Sequence, residues 1–378
     1  MSEKTKIKKK SKIIPMILGL IPGFIAGFSL ALLINWALGD ISTALYFCVL
    51  FMYIAIGILA VFIGIAIHEA GHLVFGITTG YKFSSYRIFS LMLLKDKNNK
   101  IKLKRFKIAG TGGQCLMAPP DMLDGKIPSV MYNLGGVFAN IIFGILFLIL
   151  FFLLLDIKLV AIIMMIFCII NFTFAMTNGI PMSSGGIDND AKNAISIKKN
   201  SAAMRAFWIQ MKINEETAKG VILNDMPDEW FTLPTEEEMQ SPIISALTVF
   251  SANRLLYQKR FKEAELLIKN IIDEDNAVIT FYKRILTCDR IYIELIGECK
   301  NETVESMLTT EQKALMKAMK NYPSVIRTEY AYELLIKKDY NKADKLLNHF
   351  KKIAKTYPYK NEIEVELELI NIAKSKQK

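Results

Sequence analysis

Apolar and polar positions are unevenly distributed along this chain. Ile13 to Leu38, Leu134 to Leu155 and Leu159 to Pro181 contain no Asp, Glu, Lys or Arg, and Ser42 to Gly80 contains one, Glu69. A helix crossing ~30 Å of hydrocarbon needs about 20 apolar residues. Four membrane spans are therefore predicted, the second long enough to tilt or to continue past the bilayer. Between the second and third, residues 81–130 mix β-prone stretches (Tyr81 to Phe89, Ile101 to Ile108) with turn signals at Asn98-Asn99 and Gly112-Gly113. That pattern predicts a small β-hairpin. The apolar stretch Cys115 to Pro120 is expected to touch lipid or line a cleft.

After Asp190 the pattern changes to Lys, Glu, Leu and Ile at helical spacing, with several breaks. Leu255-Leu256 with Phe261, Ala264 and Leu267 is echoed by Leu334-Leu335 with Tyr340, Ala343 and Leu346. The large-small-large spacing suits paired helices packing through an alanine and looks like tetratricopeptide-type hairpins, although the offset is not a multiple of that repeat. The expected architecture is mostly α: residues 1–195 as a polytopic transmembrane domain, and 196–378 as a soluble α-helical domain of the kind that binds peptides or partner proteins.

Composition sharpens the membrane reading. Hydrophobic residues make up 52% of the 378, and the net charge is +11. The charge is concentrated in six lysines between Lys4 and Lys12 and in a cluster from Lys82 to Lys107, while the connectors after the first and third spans are short. Positive loops stay cytoplasmic. The expected protein is thus a multi-pass cell-membrane protein with its N-terminus, residues 81–130 and C-terminal domain in the cytoplasm. The basic clusters are assigned to topology and lipid-surface attraction. Without aromatic interleaving or a binding motif, nucleic acid is not an expected partner. The first span is too long for a cleaved signal peptide and lacks a clear cleavage site. Cys48, Cys115, Cys168, Cys288 and Cys299 are odd in number and form no C-x-x-C pair, which argues against a disulfide framework or a cysteine metal site.

The chemistry is concentrated in His68-Glu69-Ala70-Gly71-His72. Histidines at i and i+4 share a helical face, so both imidazoles can reach one Zn²⁺ at ~2.0–2.1 Å. Glu69 is placed to take a proton from water that zinc has acidified. The motif holds two of the chain's three histidines and interrupts an otherwise uncharged span. A charged side chain there costs roughly 2.5–3.5 kcal/mol on insertion scales, which marks it as functional. The third histidine, His349, sits in a polar helical stretch and reads as a surface residue. With no further histidine in the membrane half, a carboxylate must complete the ligand set. The inner end of the fourth span offers two, Asp188 and Asp190, after a break at Pro181 and a flexible Gly185-Gly186.

Here the chain resembles the site-2 proteases, the membrane-embedded zinc metalloproteases of peptidase family M50. These pair H-E-x-x-H on one span with Asn-x-x-Pro…Asp on a later one, matched by Asn178-Gly179-Ile180-Pro181 and the following aspartates. Gly136-Val137-Phe138-Ala139-Asn140 looks like the family's Gly-x-x-x-Asn element. The resemblance covers roughly residues 60–195. It implies an aspartate as third zinc ligand, cleavage of transmembrane segments, and Asn178 and Asn140 as substrate-binding groups. The asparagines would otherwise simply bond one helix to another, and Gly136 is expected to serve helix packing. The family's usual spacing falls on Gly186, so the loop here is longer. Asp190 is the position matching the longer form of the motif, and Asp188 is the second choice. No PDZ insertion is evident. The expected function is an intramembrane zinc metalloendopeptidase acting on membrane proteins or signal-peptide remnants in regulated intramembrane proteolysis. The contrasting reading is a non-catalytic membrane adaptor whose helical domain binds partners.

Overall fold

A computed structural model describes residues 28–377 apart from residues 30, 97, 108–110 and 185. Most of the predicted first span lies outside the described residues; at its end, residues 31–38 are helical. Among the described residues three helices are long and apolar enough to cross a membrane: α1 (Thr43–Thr78), α2 (Ser129–Leu153) and α3 (Lys158–Gly179). They fall on the other three predicted runs, and none contains proline. Helix α3 ends at Gly179, two residues before Pro181, where a continuing helix would clash. Large apolar side chains on all three, such as Phe51, Phe152 and Met176, remain exposed, as lipid-facing surfaces require.

The chain divides into two compact units, Met1–Gly64 with Asn140–Phe174, and Ile65–Ala139 with Ala175–Lys378. In the first, Ile34, Tyr53 and Ile162 form a buried cluster, and the Tyr53 hydroxyl donates to the Leu159 carbonyl at 3.1 Å. Asn140 and Asn171 are fully buried. The Asn140 amide donates to the Gly64 carbonyl at 3.2 Å and to Asn171 Oδ1 at 2.9 Å. Such bonds tie helices together where lipid offers no partner.

In the second unit, residues 82–118 form a four-stranded antiparallel sheet, not the two-stranded hairpin expected from the sequence. Its strands are β1 (Lys82–Ile88), β2 (Leu91–Lys95), β3 (Ile101–Arg105) and β4 (Gly113–Ala118), in the order β3-β2-β1-β4. The two β-prone stretches do not pair directly, because β2 lies between them. The run Leu91-Met92-Leu93-Leu94 lacks a polar alternation, yet Met92 and Leu94 are buried while Leu91 and Leu93 are exposed. Gly113 opens β4 rather than closing a turn, and Cys115 and Met117 point into a protein core with Tyr81, Tyr132 and Met204.

After α3 a hairpin of two-residue strands, β5 (Ser183–Ser184) and β6 (Ile187–Asp188), turns through Gly186 at φ +84° into α4 (Asp190–Lys199) and α5 (Ser201–Lys219). The helices that follow are α6 (Pro242–Tyr257), α7 (Phe261–Asp273), α8 (Thr280–Ile296), α9 (Asn301–Met307), α10 (Thr310–Ala318), α11 (Pro323–Tyr332), α12 (Tyr340–Thr356) and α13 (Lys360–Ser375). Both sequence echoes are helix-turn-helix corners. Each turns on a left-handed lysine, Lys259 at φ +62° and Lys338 at φ +53°, and each buries its alanine, Ala264 or Ala343. The shared core also encloses an ion triad. Arg327 donates to Asp289 Oδ1 at 2.5 Å and to Glu366 Oε2 at 3.0 Å, with its guanidinium over the Tyr292 ring.

Candidate metal centre

Helix α1 presents His68, Glu69 and His72, with the two imidazoles one turn apart, as the spacing dictates. Their Nε2 atoms stand 3.2 Å apart. Asp190, the first residue of α4, brings its Oδ2 to 3.0 Å from His68 Nε2 and 3.5 Å from His72 Nε2. Ligands held at about 2.0–2.2 Å by one tetrahedral ion stand roughly 3.3–3.6 Å apart, close to this triangle. Asp190 Oδ2 is buried without a hydrogen-bond partner. Three acceptor atoms converging in this way repel one another unless a cation or protons lie between them, so the donor set fits a metal ion.

Each corner of the triangle is held by its surroundings. His72 Nδ1 lies 2.8 Å from the Tyr132 carbonyl. A carbonyl only accepts, so the proton sits on Nδ1 and the Nε2 lone pair faces the centre. Gly136 lies against His68: a Cβ there would fall 2.6 Å from Nε2 and 2.7 Å from Nδ1 of the ring. Helices α1 and α2 touch through glycine, since a Cβ on Gly71 would sit 2.7 Å from the Gly135 carbonyl carbon and one on Gly135 would sit 2.9 Å from that of Gly71. Small residues permit such close approach in lipid.

Asp190 is aimed by its neighbour. Asn189 caps α4, its side chain accepting from Lys192 N at 3.1 Å. Its amide donates to the Thr177 and Ile180 carbonyls at 2.8 and 2.6 Å. One asparagine thus clasps the exit of α3 to the start of α4. Asp188 is used differently, pairing with Lys192 at 3.1 Å and accepting from Ser183.

Glu69 is buried and lies within charge range of both histidines and Asp190. The start of β4 is its neighbour: a Cβ on Gly113 would meet the Glu69 carboxylate carbon at 2.8 Å. The sheet is fixed on α1 by the Tyr86 hydroxyl, which donates to the Ala66 carbonyl at 2.7 Å. Arg87, fully buried, donates to the Phe89 carbonyl at 2.8 Å and to Thr111 Oγ1 at 2.6 Å, and so steadies the segment leading into Gly113.

The structure therefore brings His68, His72 and Asp190 together, with Glu69 beside them. Asn140 belongs to the other compact unit and is engaged in the helix-to-helix bonds described above. Asn178 stands half-buried in the last turn of α3. His349 is partly exposed and bonded to Asn321 at 3.0 Å. Asn189, Tyr132 and Arg87 were not singled out by the sequence, and Gly113 was marked only as part of a turn signal. Of these only Asn189 carries a readable signal, an N-cap residue just ahead of an acidic first turn.

No curated protein and no solved structure matches the chain. Residues 56–338 do match Peptidase family M50, a stretch that takes in the paired histidines, Glu69, Asp190 and much of the helical region, and on that match the chain belongs to this family.

Proposed function

We propose that this protein is a zinc-dependent intramembrane endopeptidase that hydrolyses peptide bonds in or near transmembrane segments of membrane proteins or in signal-peptide remnants. The observation that carries the reading is the triangle of His68 Nε2, His72 Nε2 and Asp190 Oδ2, two of whose corners stand on an apolar helix. His68, His72 and Asp190 would hold the ion. A bound zinc ion supplies Lewis acidity, polarising a carbonyl and lowering the pKa of water to about 7. Glu69 acts as general base and then as general acid, accepting a proton from the attacking water and giving it to the leaving amine. Arg87 and Gly113 keep the Glu69 carboxylate facing the centre. Asn178 pairs with peptide groups freed when a substrate helix unwinds, because those groups find no partner in lipid. The distribution of lysine and arginine supports an N-terminus and a helical C-terminal domain in the cytoplasm. In this reading the catalytic domain ends near residue 195.

The test is zinc content of the purified full-length protein, together with cleavage of a membrane-spanning reporter in vesicles. The expected result is one zinc per chain, cleavage abolished by Glu69→Gln with zinc retained, and zinc lost in Asp190→Asn. A protein that binds no zinc and leaves the reporter intact is instead a membrane adaptor.

A further inference from the structure

A cavity of about 510 Å³ runs beside the metal centre into the helical region. That volume is within the roughly 300–1,000 Å³ of ligand pockets. Its lining includes Gln114 and Leu116 of β4, Tyr132, whose carbonyl holds His72, and Asp188, two residues before Asp190. Asp289, Glu362 and Glu366 line it as well. Arg327 pairs with Asp289 and Glu366. Glu362, one turn before Glu366 on α13, accepts from the Tyr357 hydroxyl at 3.1 Å, and among the described residues no lysine, arginine or histidine pairs with it. One guanidinium thus serves a neighbourhood of three carboxyl groups. Tyr257, Tyr322 and Tyr359 also line the cavity, within charge range of Glu362, and aromatic faces attract cations.

Two further atoms point to a ligand. Ser324 and Asn361, each only 8% exposed, are among the residues lining the same cavity, and Ser324 Oγ and Asn361 Oδ1 have no hydrogen-bond partner, although the Asn361 amide donates to the Val221 carbonyl at 2.8 Å. A buried orphan of this kind costs roughly 1–3 kcal/mol. The backbone N–H groups of an extended peptide would satisfy both acceptors. Acid, aromatic walls and open acceptors together describe a site for a peptide that carries a positive charge.

We infer that this cavity binds an extended segment of the substrate and seats one of its lysine or arginine side chains against Glu362, between the tyrosines. The inference deepens the peptidase reading and rests on it for the identity of the occupant: the cation lies along the substrate at a distance from the scissile bond set by the cavity, not at the bond itself. Ionised Glu362 then gains the counter-charge that the protein itself does not provide.

Binding tests this without any cleavage. Full-length Glu69→Gln protein in detergent is titrated with a fluorescein-labelled Gly-Leu-Lys-Leu-Gly peptide, its norleucine counterpart and its acetyl-lysine counterpart, read by fluorescence anisotropy at pH 8. The lysine peptide is expected to bind about 10-fold more tightly than either neutral peptide, a difference of about 1.4 kcal/mol. Glu362→Gln is expected to abolish the preference. The three-peptide comparison needs no second substitution, so it stands even where Glu362→Gln fails to fold. Equal affinity for the three peptides overturns the inference. So does a lysine preference that emerges only after residues 1–12 are deleted, because the occupant is then the chain's own basic segment. Reporter cleavage is measured separately, so an intact peptidase with no lysine preference is distinguishable from a protein that is no peptidase at all.

Discussion

At two glycines of this centre a single added methyl group would displace a functional side chain. Gly136→Ala places a Cβ in the space of the His68 ring. It is expected to weaken zinc binding by about 10–100-fold, as loss of a ligand's support does, measured by competition with a chelator. Gly113→Ala pushes instead on the Glu69 carboxylate. It is expected to keep zinc stoichiometry while lowering kcat for the reporter by about 10²-fold, the scale of a general base moved out of reach. The sequence showed both glycines but could not distinguish their duties, because each answers to a side chain distant in the chain. The ligand choice was readable only down to two aspartates. Asp188 and Asp190 differ in what they meet after the hairpin turn, and that is decided by Lys192 and by the clasp of Asn189.

At the scale of elements, the buried ion triad joins α8, α11 and α13. Arg327→Met leaves Asp289 and Glu366 without a counter-charge in the core and is expected to destabilise the helical region by about 3–5 kcal/mol, read as a lower urea midpoint for loss of helix. The membrane helices were legible because lipid admits only long uncharged runs, and α1, α2 and α3 follow those runs closely. The sheet was less legible. Its second strand, Leu91–Lys95, has apolar side chains on both faces, so no two-residue alternation marks it. The helical corners at Lys259 and Lys338 were visible as an echo of apolar spacing, but not their left-handed lysines, which propensity alone would not place there.

For the whole molecule, stability should depend on pH through the acidic lining of the cavity. Burial lifts Glu362 from its ordinary value of 4.5 to about 7. The groups facing it include Glu366, Tyr257, Tyr322, Tyr357 and Tyr359. Between these two values the folded chain holds a proton that the unfolded chain has released, so stability falls as pH rises from about 4.5 through about 7 and then levels off. The Glu362 contribution is about 3 kcal/mol. The urea midpoint of the ligand-free protein is expected to be higher at pH 5.5 than at pH 8, and Glu362→Gln is expected to shrink that difference. The clasp made by Asn189 has a consequence for biosynthesis. The two imidazoles emerge from the ribosome long before the carboxylate that completes their triangle, with two more hydrophobic helices made in between. A nascent chain that stops short of Asn189 carries two of the three residues proposed to hold the metal, so under the proposed function hydrolysis would wait until the last of these helices has been threaded and fastened.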